Sequence, residues 1–341
     1  MSLQSRLITP IVMQALPVRI PGISREAGLV ILNLVIFATI AIGKPQAFLS
    51  WVNFKAILSL MTYDLLLALG MTVVLIIRGL DLSIGASFAL LTVVMALALQ
   101  ASVPVPAALL IGLAVAVGIG SFNGYLAVRF GILPFLVTLA TMTLARGTAT
   151  VMTSGQYVSF TGAPAWFLQF GRLEVPLWRT SERVYGLPLA LLIVIFVTFG
   201  FAFLLRRWAP LRQFFFVGEN REAALLSGLR VNLITISGYV ICAAFVWLAA
   251  VFMIANARIG YANYGVGAEM RALAAAVVGG ASMSGGAGSI LGTALGVLMI
   301  ALIGNGFVLF NGDPSWQQAA IGIILIVAVG VDALRSYRGR G

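Results

Sequence analysis

Very few side chains in this sequence could carry out covalent or acid–base chemistry. It has no histidine and one cysteine, Cys242. Without an imidazole, a histidine metal site, a Ser-His-Asp triad and a histidine proton relay are excluded. No nucleophile–base constellation stands out, and no GxxxxGK[ST] phosphate loop is present, since Gly43 and Lys44 are followed by Pro45. We therefore expect no catalytic residue, no metal site and no cofactor bound by this chain.

Two charged residues, Asp64 and Arg146, interrupt apolar runs long enough to cross a membrane. An unpaired charge at membrane depth costs about 3 kcal/mol or more. Counted from the same side of the membrane, Asp64 lies about 12 Å and Arg146 about 10 Å inside its run, at 1.5 Å per helical residue. This similar depth predicts an ion pair. A structural role is favoured, and contact with a transported solute is the alternative.

A short polar segment at residues 78–87 separates two apolar runs. Gly79 can adopt backbone angles that other residues avoid, and Asp81 or Ser83 could accept hydrogen bonds from the free N–H groups of the helix that follows. The segment is either a capped helix start or a hinge at the cytoplasmic mouth of a solute path. A third polar residue, Asn123, lies inside a later apolar run.

A second polar segment, residues 218–229, has the signals of a two-turn helix. Asn220 is a candidate N-cap, Glu222 would lie in the first turn, and Gly228 can end the helix. Such a helix is too short to be stable alone. Its apolar face is small, so a docking element for a cytoplasmic partner is favoured over a membrane-surface helix.

A glycine-rich segment follows at residues 274–288, with five glycines between positions 279 and 288. This density is not typical of an ordinary membrane helix. It indicates either close packing between helices or a broken or re-entrant helix that lines a solute path.

The composition places all these segments in a membrane protein. Hydrophobic residues make up 61% of the 341 residues and charged residues only 9%, too few to cover a water-soluble globule. The net charge of +11 is explained by basic loops between apolar runs rather than by nucleic acid. The ten predicted spans lie at about 27–43, 56–77, 83–100, 106–128, 133–153, 186–205, 231–255, 268–284, 287–304 and 315–334.

The distribution of Lys and Arg predicts the orientation. Thirteen of the 21 basic residues lie on the side that holds both termini and seven on the other, so both termini are expected in the cytoplasm. The sequence then forms one transmembrane domain over 1–341, with cytoplasmic segments at 1–26, 206–230 and 335–341. The longest loop, 156–185, is expected outside.

The ordered set of motifs resembles the permease subunits of bacterial ATP-binding-cassette sugar importers of the ribose, xylose and galactofuranose type. The resemblance covers about residues 50–335. The GLDLS-type motif is fairly specific for the sugar branch over the related branched-chain amino-acid permeases. The motifs are GMTVV at 70–74, GLDLSIG at 79–85, NG at 123–124, TLATM at 138–142, RG at 146–147, GEN at 218–220, AAVVGG at 275–280 and SGG at 284–286.

The resemblance implies an all-α polytopic protein of the type II importer class with ten helices, in the bacterial inner membrane. It also implies a second permease subunit, identical or paralogous, a cytoplasmic ATPase that binds ATP and Mg²⁺, and a periplasmic binding protein that delivers a monosaccharide. The coupling residues would be Gly218, Glu219, Asn220, Arg221, Glu222, Ala223, Ala224, Ser227 and Gly228. The candidates for the path or its gate are Asp81, Ser83, Asn123, Gly279, Gly280, Ser284 and Gly285.

Two other classes of protein compete with this interpretation. An ion-coupled secondary transporter would use Asp64 as its proton or ion site, although it would not need the docking element at 220–228. A membrane-embedded enzyme is disfavoured because the sequence lacks a catalytic constellation.

Overall fold

The computed structural model describes residues 24–179 and 184–338. Most of the predicted N-terminal segment 1–26, and residues 339–341 of the predicted tail, lie outside the described residues. The helices are α1 Arg25–Gly43, α2 Pro45–Phe48, α3 Trp51–Ile76, α4 Ile84–Gln100, α5 Val105–Arg129, α6 Pro134–Thr153, α7 Ala165–Phe170, α8 Leu189–Arg207, α9 Ala209–Glu219, α10 Arg221–Leu226, α11 Val231–Ala257, α12 Ala268–Gly279, α13 Ile290–Leu309 and α14 Pro314–Arg338.

The described helices are those of a polytopic membrane protein. Seven of them, α1, α3, α5, α6, α8, α11 and α13, are long and apolar enough to span a bilayer. Apolar stretches in α4 and α14 are shorter, and α12, with 12 residues, is only about 18 Å long. The predicted all-α polytopic class is confirmed, whereas the predicted count of about ten spans is not.

The core of the described chain lies around α3, α11 and α13, each of which buries more than 60% of its apolar window, whereas α1 buries 17%. The close fit of α3 and α11 depends on Gly70, where a Cβ would lie 2.9 Å from the sulfur of Cys242. The exposed apolar faces of the outer helices are suited to lipid or to other membrane subunits.

Two small antiparallel sheets add structure that the sequence did not predict. Strands β2 Glu174–Arg179 and β3 Val184–Pro188 pair in the loop before α8, and β1 Val158–Ser159 pairs with β4 Ile259–Gly260. Trp51 at the start of α3 packs on Trp178 and Tyr185 of the β2–β3 hairpin, with ring centroids 5.2 and 5.7 Å away. The hairpin is thereby held on the end of α3.

Candidate functional site

The segment between α3 and α4 folds back into the helix bundle. Helix α3 ends at Ile76, Arg78 takes a positive φ of 62°, and α4 begins at Ile84. Asp81 then lies beside Cys242, with 4.0 Å between the sulfur and a carboxylate oxygen. Cys242 is eleven residues into α11, about 16 Å along that helix. Asp81 is therefore buried inside the bundle, at 4% exposure, and its place in a hinge at a cytoplasmic mouth stays a prediction.

A hydrogen-bonded network joins Asp81, Ser83 and Asn123, which are three of the predicted gate residues. Asp81 accepts from the backbone N–H of Ser83 at 2.9 Å and from its hydroxyl at 2.6 Å. The amide of Asn123 donates to the Ser83 hydroxyl at 3.1 Å, and Thr141 donates to Asn123 at 2.6 Å. The network connects the start of α4 to the middle of α5 and α6.

The sequence reasoning missed Thr138 and Thr141, which attach α6 to this network. The Thr138 hydroxyl accepts from the backbone N–H of Leu82 at 3.1 Å and lies 3.2 Å from the carbonyl of Leu80. Their spacing of three residues places both threonines on one face of α6, and that spacing was the available signal. Because Ser83, Asn123 and Thr138 are at most 1% exposed, the network closes the bundle in this conformation.

The structure corrects the predicted pair of Asp64 and Arg146. Asp64 binds Arg271 instead: Nε and Nη2 of Arg271 donate to its two carboxylate oxygens at 3.1 and 3.2 Å. The reason is helix packing, since α12 lies against α3, whereas α6 packs on α4. Equal depth in the membrane does not bring two helices together.

Arg146 is bound by backbone carbonyls instead of by an acid. Its Nη1 donates to the carbonyl oxygens of Ala262 and Tyr264, the latter at 2.7 Å. Arg146 also lines a cavity of about 600 Å³ between α6 and the first turn of α12, and Glu269 is another of its lining residues. The remaining lining residues are Met142, Thr143, Gly147, Thr150, Val151, Val266 and Gly267.

The predicted short helix is confirmed as α10. The side chain of Asn220 accepts a hydrogen bond from the N–H of Ala223 at 2.9 Å, and Glu222 lies in the first turn. Gly228 has a φ of 79°, and the N–H of Leu229 bonds to the carbonyl of Ala224 at 3.1 Å. This is the glycine-dependent helix end that the sequence predicted.

Helix α10 presents an apolar surface of a different kind from the one expected. Ala224 is 4% exposed and packs inward, whereas Leu225 and Leu226 are 65% and 89% exposed. The free face is formed by these two leucines together with Arg221, Glu222 and Ala223. Two adjacent exposed leucines on a two-turn helix are a typical contact surface for a protein partner.

The glycine-rich segment contacts the end of α9, just before α10. Helix α12 ends at Gly279, α13 begins at Ile290, and the intervening loop donates from the N–H of Gly286 to the carbonyl of Ile76 at 2.9 Å. Gly218 lies at this junction, and a Cβ there would overlap the Ile76 carbonyl and lie 2.7 Å from the Gly286 nitrogen. The ends of α3 and α9 and the loop between α12 and α13 therefore meet at one point.

The other predicted gate residues lie in or beside the same loop. Gly279 packs directly on Gly292 of α13, where a Cβ would lie 2.5 Å from backbone atoms. Gly280 and Gly285 take positive φ values of 116° and 84°, and the N–H of Ser284 donates to the hydroxyl of Ser282 at 3.2 Å. The segment is closely packed, as the first interpretation expects, and the helix ends at Gly279. That it lines a solute path stays a prediction.

The fold, with its apolar helices and protruding α10, defines a multi-pass membrane permease. Residues 53–329 match the family described as the permease component of the branched-chain amino acid transport system, and the chain belongs to this family. It is a transport subunit of the inner membrane.

Several curated proteins are similar to the chain over almost its whole length. The probable ABC transporter permease protein y4mJ of Sinorhizobium fredii is 34% identical, covering 91% of each chain. The ribose import permease protein RbsC of Bacillus subtilis is 30% identical over 92% of this chain and 95% of that protein. The galactose/methyl galactoside import permease protein MglC of Escherichia coli is 31% identical over 92% and 96%. No solved structure matches the chain.

Proposed function

We propose that this chain is the permease subunit of an ATP-driven sugar importer and forms the path for a monosaccharide. The observation that carries the proposal is α10, a capped helix with two exposed leucines. It directly follows the end of α9, which contacts the end of α3 and the glycine-rich loop. An isolated transporter would not need such a projecting element. A permease subunit driven by a separate ATPase would need such an element to bind it.

Sugar is favoured over a branched-chain amino acid as the substrate class. The family takes its description from amino-acid transport, but relatives that align over about 90% of the chain are named for ribose and galactose import. The GLDLS motif at 79–83, which resembles the sugar branch, also supports this choice.

The proposed complex contains two permease subunits, identical or paralogous, with cytoplasmic ATPases that hold ATP and Mg²⁺ and a periplasmic sugar-binding protein. In this proposal the permease itself has no ATPase site. Both termini and residues 206–230 face the cytoplasm, and the β2–β3 hairpin faces the periplasm. We retain ten membrane crossings as part of the proposal, with α4, α12 and α14 as the three that the length criterion leaves out.

The proposed coupling residues transmit ATPase closure through the junction at Gly218. Helix α10 follows α9 after Asn220 alone, so a displacement of α10 moves Gly218. Gly218 packs against the carbonyl oxygen of Ile76, and the same oxygen accepts a hydrogen bond from the N–H of Gly286. Movement at α10 would therefore reach both α3 and the loop with Gly280, Ser284 and Gly285, as a rigid-body switch.

The network of Asp81, Ser83 and Asn123 serves in this proposal as part of the gate. It is buried in the described conformation, and it ties α4 to α5 and α6 by hydrogen bonds that could be exchanged when the helices move. Packed helix interfaces have discrete alternative arrangements, so a small shift of one helix switches the path between a closed and an open state.

A secondary transporter is disfavoured by the position of Asp64. Both oxygens of its carboxylate are bound by Arg271, so protonation would require this ion pair to break. The acid that the rival mechanism would use is already engaged in a structural contact.

The decisive experiment is reconstitution of the permease in liposomes with a cognate ATPase and sugar-binding protein. We expect uptake of labelled monosaccharide that requires ATP on the side of the liposome membrane that carries the ATPase. We expect no uptake of labelled leucine. Uptake of sugar without any ATPase would favour the secondary transporter. ATP-dependent uptake of leucine alone would assign the chain to the amino-acid branch.

A further inference from the structure

The cavity between α6 and the first turn of α12 contains two opposite charges that do not bind each other. Arg146 and Glu269 both line it, yet no ion pair within 4.0 Å joins them among the described residues. We infer that this cavity is a binding site for the sugar during its passage, with Arg146 and Glu269 as its polar contacts. The inference rests on the proposed function.

Arg146 is positioned and still has free hydrogen-bond donors. Two backbone carbonyls, those of Ala262 and Tyr264, hold its Nη1. Its Nε and Nη2 make no hydrogen bond to the described part of the chain, although a guanidinium carries five donors in a fixed plane. A fixed planar donor with a free edge is suited to bind two neighbouring hydroxyl groups.

Glu269 supplies the complementary acceptor. It lies in the first turn of α12, where the helix dipole favours a carboxylate, and its oxygens accept no hydrogen bond from the described residues. A sugar hydroxyl both donates and accepts, so it can bridge a guanidinium and a carboxylate. Because the two charges balance, the cavity favours a neutral solute over an ion.

The size and depth of the cavity agree with a solute path. Its volume of about 600 Å³ lies within the 300–1,000 Å³ typical of small-molecule sites. Arg146 is seven residues from the end of α6 at Thr153, or about 10 Å inside that end. Two charges at this depth cannot face acyl chains without a large cost. The open side must therefore be water-filled and covered by a second permease subunit.

Substitution of the two charged residues tests the inference in the reconstituted complex. We expect Arg146→Gln and Glu269→Gln each to reduce the rate of sugar uptake at least about tenfold, the loss expected for a hydrogen bond to a charged group. The matched controls are Arg172→Gln and Glu174→Gln. Arg172 binds a backbone carbonyl at the same end of the fold, and Glu174 pairs with Lys55, and neither lines the cavity. Normal uptake in both cavity variants would overturn the inference.

Cysteine labelling provides a second test that does not depend on removing a charge. The native Cys242 is fully buried, so a cysteine introduced at Thr150, which lines the cavity, can be labelled selectively. We expect a charged methanethiosulfonate reagent to label Thr150→Cys and block uptake, and a saturating concentration of the transported sugar to slow the labelling. A cysteine at Phe196, which is 78% exposed on α8, is the control outside the cavity.

The outcomes separate this inference from the function beneath it. If the wild-type complex shows no ATP-dependent uptake of any monosaccharide, the proposed function fails. If the wild type transports sugar and the labelled Thr150→Cys protein transports it equally well, the cavity is not on the path and only this inference fails. If Arg146→Gln does not fold, Glu269→Gln and the labelling experiment decide.

Discussion

Arg271 holds Asp64 through both carboxylate oxygens, at 3.1 and 3.2 Å, and so joins the first turn of α12 to the middle of α3. The side chains of Arg271 and Asp64 are 24% and 13% exposed. At this burial a bidentate guanidinium–carboxylate pair compensates two charges that would each be costly in a membrane. It also fixes the 12-residue helix α12 against α3.

A double-mutant cycle on this ion pair should show strong coupling. Asp64→Asn or Arg271→Gln leaves one buried charge without its partner, which costs about 3–5 kcal/mol. We expect the double variant to recover part of that loss. The measurement is the amount of folded protein that remains after heating in detergent. The pair of Lys55 and Glu174, which is more exposed at 39% and 31%, is the control and should contribute less, about 1 kcal/mol. Additive losses at Asp64 and Arg271 would contradict the pair.

The sequence predicts correctly those structural features, such as helix ends, that depend on residues close together in the chain. Asn220 and Gly228 act on backbone groups within a few positions, so the start and end of α10 follow directly from residue type. The charge of Asp64 predicts that it needs a partner, but the identity of that partner depends on whether α6 or α12 packs on α3. That choice is tertiary, and a depth argument cannot make it.

The same distinction applies to the candidate site. Asp81, Ser83 and Asn123 were identifiable as polar residues in apolar surroundings, but their hydrogen bonds to one another depend on α4 and α5 packing side by side. The fold-back of residues 78–83 toward Cys242 was not foreseen, because the sequence shows where a helix breaks and not where the released chain goes. The cavity at Arg146 depends likewise on a loop more than 110 residues away in sequence.

Replacing Asn123 should destabilise the contact of α4 with α5 and α6. Asn123→Ala removes a donor to Ser83, whose hydroxyl keeps its bond to Asp81, and the acceptor for Thr141, whose buried hydroxyl the change leaves unsatisfied. Such an unsatisfied group costs about 1–3 kcal/mol. We expect a lower midpoint of thermal aggregation in detergent than for the wild type. Thr39→Val is the control, because Thr39 is exposed and its hydroxyl bonds only within its own helix. An unchanged midpoint for Asn123→Ala would show that the network contributes little.

Adding one methyl group at Gly218 should disturb the junction of α3, α9 and the glycine-rich loop. A Cβ at this position would overlap the Ile76 carbonyl, so Gly218→Ala must move α9 or break the bond from Gly286 to Ile76. We expect sugar uptake per ATP hydrolysed to fall. Gly200→Ala in α8 is the matched control, because nothing lies within 4 Å of a Cβ there. Equal coupling ratios in the two variants would remove Gly218 from the transmission route.

The exposed leucines of α10 allow the coupling assignment to be tested without disturbing the permease. Leu226 is 89% exposed, so Leu226→Arg removes almost no packing within this chain, and the amount of folded permease should stay near that of the wild type. Binding energy in protein interfaces is concentrated in a few central residues, and an arginine in place of an apolar contact adds a charge that the partner must desolvate. We therefore expect the ATPase to be lost when the complex is purified in detergent, and ATP-dependent uptake to be lost with it.

Leu177→Arg in the β2–β3 hairpin is the control, since Leu177 is 52% exposed on the side proposed to face the periplasm. Ala224→Trp is unsuitable for this purpose because Ala224 is buried against its own chain, and its loss of function would not separate docking from folding. Full retention of the ATPase and of uptake by Leu226→Arg would show that α10 is an ordinary surface helix.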